Sequence, residues 1–195
     1  MRGGCLDPPP LSTHAVGMPA MRVAEFMSLV QERALALLPE DLRSGVTSRV
    51  RSVWFQAWYH SPKVHYEVWL TRKTGRIEIG LHFEGQRDFS YRWAELMAGH
   101  APEIFGRLGP DVEIEEWTPS WTRIHQTLPY GPLSEPLADE VSRRLSDMID
   151  VLQPIVETER ANVPPELDRA GAPDRPAGAR RRFDRSKRSG APRGA

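Results

Sequence analysis

The segment RIEIGLHFE, residues 76–84, decides the predicted fold because its apolar and polar side chains alternate with a period of two. Successive side chains of a β-strand point to opposite faces, so this alternation predicts a half-buried strand. Residues 63–72 alternate in the same way, and Thr74 and Gly75 supply a tight turn between the two runs. The sequence therefore predicts an antiparallel hairpin over residues 63–84.

The flanking sequence supplies further strands and helices. Apolar residues recur at helical spacing in three segments, and Pro102 is expected to kink or divide the second of them. The predicted helices lie at residues 22–38, 89–108 and 134–156, and the further strands lie at residues 48–59, 112–117 and 121–128. The order α-βββ-α-ββ-α predicts an α+β fold, a two-layer sandwich of a five-stranded, mostly antiparallel sheet with helices on one face.

Both ends of the 195-residue chain differ from its middle in composition. Residues 1–20 hold four Pro and three Gly without apolar periodicity, and we predict a disordered leader. Residues 161–195 hold nine Lys and Arg but four Asp and Glu, and we predict a disordered basic tail of charge +5. The predicted single domain spans residues 21–160, and residues 1–160 carry a net charge of −5.

Several classes of protein are excluded by what the sequence lacks. No run approaches the ~18 apolar residues of a membrane helix, and the leader lacks the apolar core of a secretory signal, so we predict a cytoplasmic protein. Cys5 is the single cysteine, which excludes an internal disulfide. P-loop, H-E-x-x-H, C-x-x-C and G-x-S-x-G motifs are absent, so no cofactor is predicted and an enzyme is not favoured.

Alternation assigns a set of charged residues to the polar face of the sheet. Imidazole and carboxylate groups on neighbouring strands are suitable ligands for a metal ion. The candidate ligands are His65, Glu67, His82 and Glu84. One interpretation is a metal-dependent hydrolase or nuclease-like enzyme, and the other is an ordinary solvated sheet face with cross-strand charge pairs.

Tryptophan is the second unusual feature, with six residues in the chain. Aromatic residues and arginine are enriched at protein interfaces, so the polar face is a candidate for binding a protein partner. The predicted partner-binding residues are Trp69, Trp117, Trp121, Arg123 and His125. Acidic neighbours on the same face favour protein over nucleic acid, and the alternative is that a helix or the leader covers these tryptophans.

The predicted tail carries a run of basic residues that resembles a nucleic-acid-binding arm. Clustered arginines neutralise phosphates without needing a fold, so the expected binding is independent of base sequence. The residues concerned are Arg180, Arg181, Arg182, Arg185, Lys187 and Arg188. The alternative origin of this run is the coding bias of a GC-rich genome.

Residues 76–85, a following helix, Ile114-Glu115-Glu116-Trp117 and Trp121-Thr122-Arg123-Ile124 together resemble an uncharacterised bacterial domain family. In that family a strand ending in an acidic residue leads to a helix, an LEW-like strand, an SRI-like strand and a final helix. Its members occur alone or appended to nuclease-like proteins. The resemblance covers residues 50–158 and implies the same fold and an association with DNA processing, with Thr122 where the family tends to have serine.

These observations lead to one principal functional prediction and one alternative. The principal prediction is a non-enzymatic interaction module that binds a protein partner through the polar sheet face. Its basic tail contacts nucleic acid non-specifically. The alternative is the metal-dependent hydrolase described above.

Overall fold

A computed structural model of the chain describes residues 21–169, which form an α+β fold. A single sheet of six antiparallel strands has the order β1-β2-β3-β4-β6-β5. The strands are β1 (Thr47–Arg51), β2 (Trp54–Trp58), β3 (Val64–Thr71), β4 (Arg76–Phe83), β5 (Glu113–Glu116) and β6 (Thr122–Pro129). The predicted leader and the arginine run of the predicted tail lie outside the described residues.

Six helices and one 3-10 turn accompany the sheet within the described residues. They are α1 (Val23–Leu37), α2 (Glu40–Gly45), α3 (Arg87–Ala98), α4 (Ala101–Leu108), α5 (Glu135–Glu159), the 3-10 turn Arg160–Asn162 and α6 (Pro165–Arg169). The division of the second predicted helix is confirmed, since Pro102 lies in the first turn of α4, where its missing N–H costs nothing. Regular structure continues past residue 160 as far as Arg169.

The predicted count of five strands is corrected to six. Residues 48–59, predicted as one strand, form two strands that reverse at Ser52 and Val53, with Arg51 paired to Trp54. The turn carries no Gly, Asn or Pro, which is why its sequence resembles a continuing strand. β1 is an edge strand with exposed Arg49 and Arg51, and β2 carries the buried Phe55 and Ala57.

The predicted hairpin over residues 63–84 is confirmed by the register of β3 and β4, and the last two strands, β5 and β6, also pair antiparallel. In β4 the apolar side chains Ile77, Ile79, Leu81 and Phe83 are fully buried. They belong to the core between the sheet and the helices. Tyr66 adds a polar link to this core, because its hydroxyl donates to Gln153 Oε1 of α5 at 3.1 Å.

The residues that alternate with these core side chains define the outer face of the sheet. Because α1, α3 and α5 pack against the apolar face, the outer face, as far as residues 21–169 are concerned, consists of strand side chains and of the segment joining β5 to β6. Among the described residues, none of the helices combines the length and apolar character needed to cross a membrane.

Candidate functional site on the outer face

Ionisable and amide side chains from five strands form a continuous layer on the outer face, which we call the ionic layer. The antiparallel register places His65 beside His82 and Glu67 beside Gly80. The members of the ionic layer are Gln56, His65, Glu67, Glu78, His82, Glu84, Glu115, Arg123 and His125. The alternation of residues 76–84 predicted the β4 members correctly.

The ionic layer is buried to a degree that is unusual for charged residues. His82 is fully buried, His65 is 1% exposed, and the carboxylate-bearing residues Glu67 and Glu78 are 8% and 6% exposed. Glutamate is almost never this buried unless it is paired, because removing a charge from water is costly. The outer face is therefore a compact polar site and not an ordinary solvated sheet surface.

Gly80 makes room for this layer in the middle of β4. A Cβ atom at this position would lie 2.8 Å from Cβ of His125 and 3.2 Å from Nε2 of His82. Glycine inside a strand marks a close approach of neighbouring groups. The missing side chain lets two imidazoles and Glu67 share one small area of the sheet.

Arg123 connects two carboxylates of the ionic layer. Its Nη1 donates to Glu78 Oε2 at 2.6 Å, and its Nε donates to Glu115 Oε1 at 2.9 Å. His125 Nε2 lies 2.9 Å from the same Glu115 oxygen. The guanidinium that the sequence assigned to partner binding is thus engaged within the protein, and its side chain is 12% exposed.

Gln56 joins the layer to the edge of the sheet. Arg49 donates to Gln56 Oε1 from Nε at 3.1 Å and from Nη2 at 2.7 Å. This orientation turns the amide nitrogen of Gln56 toward His65 Nε2, at 2.9 Å, and toward the Glu67 carboxylate. The amide therefore links an exposed arginine to two buried members of the ionic layer.

Unsatisfied polar atoms concentrate in the same layer. Eight buried side-chain N or O atoms of residues 21–169 have no hydrogen-bond partner, and five of them belong to Glu78, His82 and His125. Nε2 of His82 lies only 3.1 Å from Oε1 of Glu78, but the two are not aligned as a hydrogen bond. Since buried polar groups are normally paired, this local concentration points to a functional site.

The charges of the layer shift its pKa values in opposite directions. Burial alone would raise the pKa values of Glu67 and Glu78. The neighbouring histidines outweigh burial for both carboxyl groups, with Arg123 adding to this effect for Glu78, so both pKa values are lowered. Burial lowers the pKa of His82, but the surrounding carboxylates outweigh it and the pKa is raised. The pKa of His125 is lowered by burial and by Arg123, which favours a neutral imidazole.

Four tryptophans lie on the outer face beside the ionic layer, and we call this set the aromatic band. The guanidinium of Arg49 lies 5.3 Å from the ring of Trp54 and 5.2 Å from that of Trp58. Trp54 pairs with Trp69 in the register, and Trp69 is 6.2 Å from Trp117. The band consists of Trp54, Trp58, Trp69 and Trp117, and each of these side chains is partly exposed.

The five residues predicted to bind a partner lie on the outer face in different environments. Trp69 and Trp117 belong to the aromatic band, whereas Trp121 is 5% exposed and its indole N–H donates to the Gly85 carbonyl at 3.1 Å. His125 is also 5% exposed.

The residues that β1 and β2 contribute to the site were not predicted from the sequence. Trp54, Trp58, Gln56 and Arg49 were not assigned to the outer face because the turn between β1 and β2 was not recognised. The available signal was the alternation of Trp54, Gln56 and Trp58, which places them on one side of a strand. Gly80, in the middle of an otherwise regular strand, was a second signal.

Comparison of the chain with protein-family models, with curated proteins and with solved structures finds no match in any of the three.

Proposed function

We propose that this chain is an interaction module whose aromatic band binds a cationic segment of a partner protein. The bound side chains are arginine or lysine, which are held between indole rings above the carboxylates of the ionic layer. The single observation that supports the proposal most strongly is the placement of four partly exposed tryptophans on the same sheet face as a layer of buried carboxylates.

The protein itself contains an example of this chemistry. Arg49 places its guanidinium near the rings of both Trp54 and Trp58. A cation over an indole ring is attracted by the electrons of the ring, with about 0.5–2 kcal/mol per contact. Trp69, the register partner of Glu78, contacts Trp117, so these two rings continue the aromatic surface beside the acidic residues of the ionic layer.

Charge distinguishes a cationic protein segment from a nucleic acid at this surface. Glu67, Glu78, Glu84 and Glu115 contribute four carboxylates to the ionic layer, and Arg123 contributes one guanidinium. Residues 1–160 carry a net charge of −5. Phosphates are repelled by this arrangement, so nucleic-acid binding belongs, in this proposal, to the basic tail and not to the outer face.

Anisotropy of a fluorescent arginine-rich peptide, titrated with the full-length protein, tests the proposal. Trp69→Ala removes a central ring of the band and is expected to weaken binding by at least about tenfold, as truncation of an aromatic anchor commonly does. Phe105→Ala is the matched control, because Phe105 is a 40% exposed aromatic residue on α4, outside the strands. Equal losses in both variants would contradict the proposal, and so would tighter binding of a single-stranded oligonucleotide that is sensitive to Trp69.

A further inference from the structure

Three potential metal-ligand atoms converge at one end of the ionic layer. His65 and His82 are register partners on β3 and β4, and their rings are stacked with centroids 5.4 Å apart. Glu84 Oε1 lies 4.0 Å from His65 Nε2 and 3.8 Å from His82 Nδ1. One donor atom from each residue lies within 4.8 Å of the other two.

These separations are close to those that a bound ion imposes. Donors at about 2.0–2.1 Å from a tetrahedral Zn²⁺ are roughly 3.3 Å apart. The Glu84 oxygen therefore needs to approach His82 Nδ1 and His65 Nε2 by about 0.5–0.7 Å, together with a rotation that turns the imidazole lone pairs toward the carboxylate. Side-chain adjustments of this size need no movement of the strands.

The hydrogen bonds of His65 prepare its other nitrogen for a metal. Nδ1 of His65 lies 2.8 Å from the carbonyl oxygen of Pro62, so this nitrogen carries the proton and donates it. The lone pair of the neutral imidazole is then on Nε2, which accepts from the Gln56 amide at 2.9 Å and lies 4.0 Å from Glu84 Oε1, so a metal at this atom takes the place of the Gln56 hydrogen bond. A backbone carbonyl that fixes the tautomer is the usual outer-shell support of a metal-binding histidine.

His82 supplies an independent observation. It is fully buried, and neither of its ring nitrogens has a hydrogen-bond partner among the described residues. With Nδ1 on a metal, the N–H at Nε2 faces Glu78 Oε1, which is 3.1 Å away and itself unpartnered. One cation at Nδ1, with the ring turned so that its Nε2–H points at Glu78 Oε1, would thus satisfy three buried atoms that have no hydrogen-bond partner.

The charge of the layer also favours a cation. Arg123 neutralises part of the charge on Glu78 and Glu115, while Glu67 and Glu84 face the two histidines. Buried carboxylates require a compensating charge, which a divalent ion beside His65 and His82 provides.

We propose that His65, His82 and Glu84 bind a divalent transition metal of the Zn²⁺ type in a closed site beneath Trp117. Two imidazoles and a carboxylate are the donor set of such ions, in contrast to the all-oxygen sets of Mg²⁺ and Ca²⁺. Glu67, whose Oε2 lies 3.7 Å from His65 Nε2, is the fourth donor once the amide of Gln56 moves aside. The closed surroundings assign the ion a stabilising role, because a hydrolytic metal needs an open coordination position.

Thermal unfolding and titration calorimetry of the full-length protein, freed of metal with a chelator, test the site. ZnCl₂ is the probe, MgCl₂ is the comparison, and Cys5→Ser removes the thiol outside the described residues. We expect one equivalent of Zn²⁺ to bind and the Tm to rise by about 5–10 °C at a hundredfold excess over Kd. Mg²⁺ should leave the Tm unchanged.

Variants separate this site from other zinc ligands. Glu84→Gln and His65→Gln should each weaken Zn²⁺ binding by at least about tenfold, as loss of a ligand does. Glu84 is partly exposed, so its variant is expected to fold, and circular dichroism verifies this. His100→Gln is the matched control, because His100 pairs with Glu159 away from the sheet. The proposal is overturned if Zn²⁺ leaves the wild-type Tm unchanged, or if both site variants bind Zn²⁺ as tightly as His100→Gln does.

Discussion

The indole of Trp117 lies edge-on against the imidazole of His82, with ring centroids 5.1 Å apart and planes at 84°. Trp117 also contacts Trp69, and the guanidinium carbon of Arg123 lies 5.4 Å from the centroid of the Trp117 ring. One residue from the connection between β5 and β6 therefore covers the ionic layer and joins it to the aromatic band. The two parts of the outer face are a single structural unit.

Trp117→Ala should uncover the buried histidine and destabilise the protein. Fully buried Trp→Ala changes cost ~3–5 kcal/mol, and partial exposure of Trp117 reduces the expected loss to about 1–3 kcal/mol. Urea denaturation measures this loss, and Trp117→Phe, which keeps an aromatic ring, should lose less. Equal stability of Trp117→Ala and the wild type would show that the indole does not cover the layer.

Gly80→Ala should be destabilising because the new methyl group meets backbone as well as side chain. Its Cβ would lie 2.9 Å from the Ile124 carbonyl oxygen and 2.8 Å from Cβ of His125. Overpacking of this kind costs about 1–3 kcal/mol.

Gly106→Ala is the matched control for that change. Gly106 lies within α4, and its added Cβ would meet no atom within 4 Å. Alanine stabilises a helix interior by roughly 0.5–1 kcal/mol relative to glycine. Denaturant unfolding should therefore give opposite signs for the two substitutions, and destabilisation of similar size in both would contradict the role given to Gly80.

Ile79→Ala tests the inner face of β4. The side chain is fully buried between the sheet and the helices, so its truncation should cost about 2–5 kcal/mol in the free energy of unfolding. Val50→Ala on the edge strand β1, where the side chain is only partly buried, should cost less. A free energy of unfolding that Ile79→Ala leaves nearly unchanged would contradict the assignment of Ile79 to the core.

The sheet was largely predictable from the sequence because alternation fixes which side chains share a face. The four apolar residues of β4 and the polar set that alternates with them were both assigned correctly. The turn at Ser52 and Val53 was not predictable, because it lacks the residues that usually mark a reversal. Because this turn was not recognised, residues 48–59 were predicted as one strand, and Arg49 was not assigned to the outer face.

The convergence of the candidate ligands was only partly predictable. His82 and Glu84 are two apart on one strand, so their shared face follows from the pleat. Their proximity to His65 depends on the pairing of β3 with β4 at one particular register. Alternation predicted that Trp117 lies on the outer face, but Trp117 follows the end of β5, and its contact with His82 depends on the path of the connection to β6.

His125 should titrate with a pKa below 6.5 because burial and Arg123 both disfavour its charged form. A histidine whose folded pKa is lowered contributes stability above the unfolded pKa and loses it as pH falls below about 6.5 toward the folded value. NMR titration of the imidazole protons, assigned with His125→Gln, measures the shift. A pKa at or above 6.5 would show that the carboxylates dominate instead.

The basic tail gives a prediction that is independent of the outer face. If its arginines contact phosphates, log K for an oligonucleotide should fall linearly with log salt, with a slope of about −0.7 to −0.9 per phosphate neutralised. Truncation after Arg169 keeps α6 and removes the arginine run, so it should abolish binding. If the full-length and truncated proteins bind the oligonucleotide equally at low salt, the tail does not contact nucleic acid.

Side-chain indole NMR of the full-length protein during titration with an arginine-rich peptide tests the central claim most directly. Each of the six tryptophans is assigned by its Trp→Phe variant, and Trp93, buried beside Phe83 in the core, is the internal control. The account predicts that the indole signals of Trp69 and Trp117 shift while that of Trp93 does not. Shifts that are absent, or confined to residues outside the aromatic band, would contradict the assignment of the outer face as the binding surface.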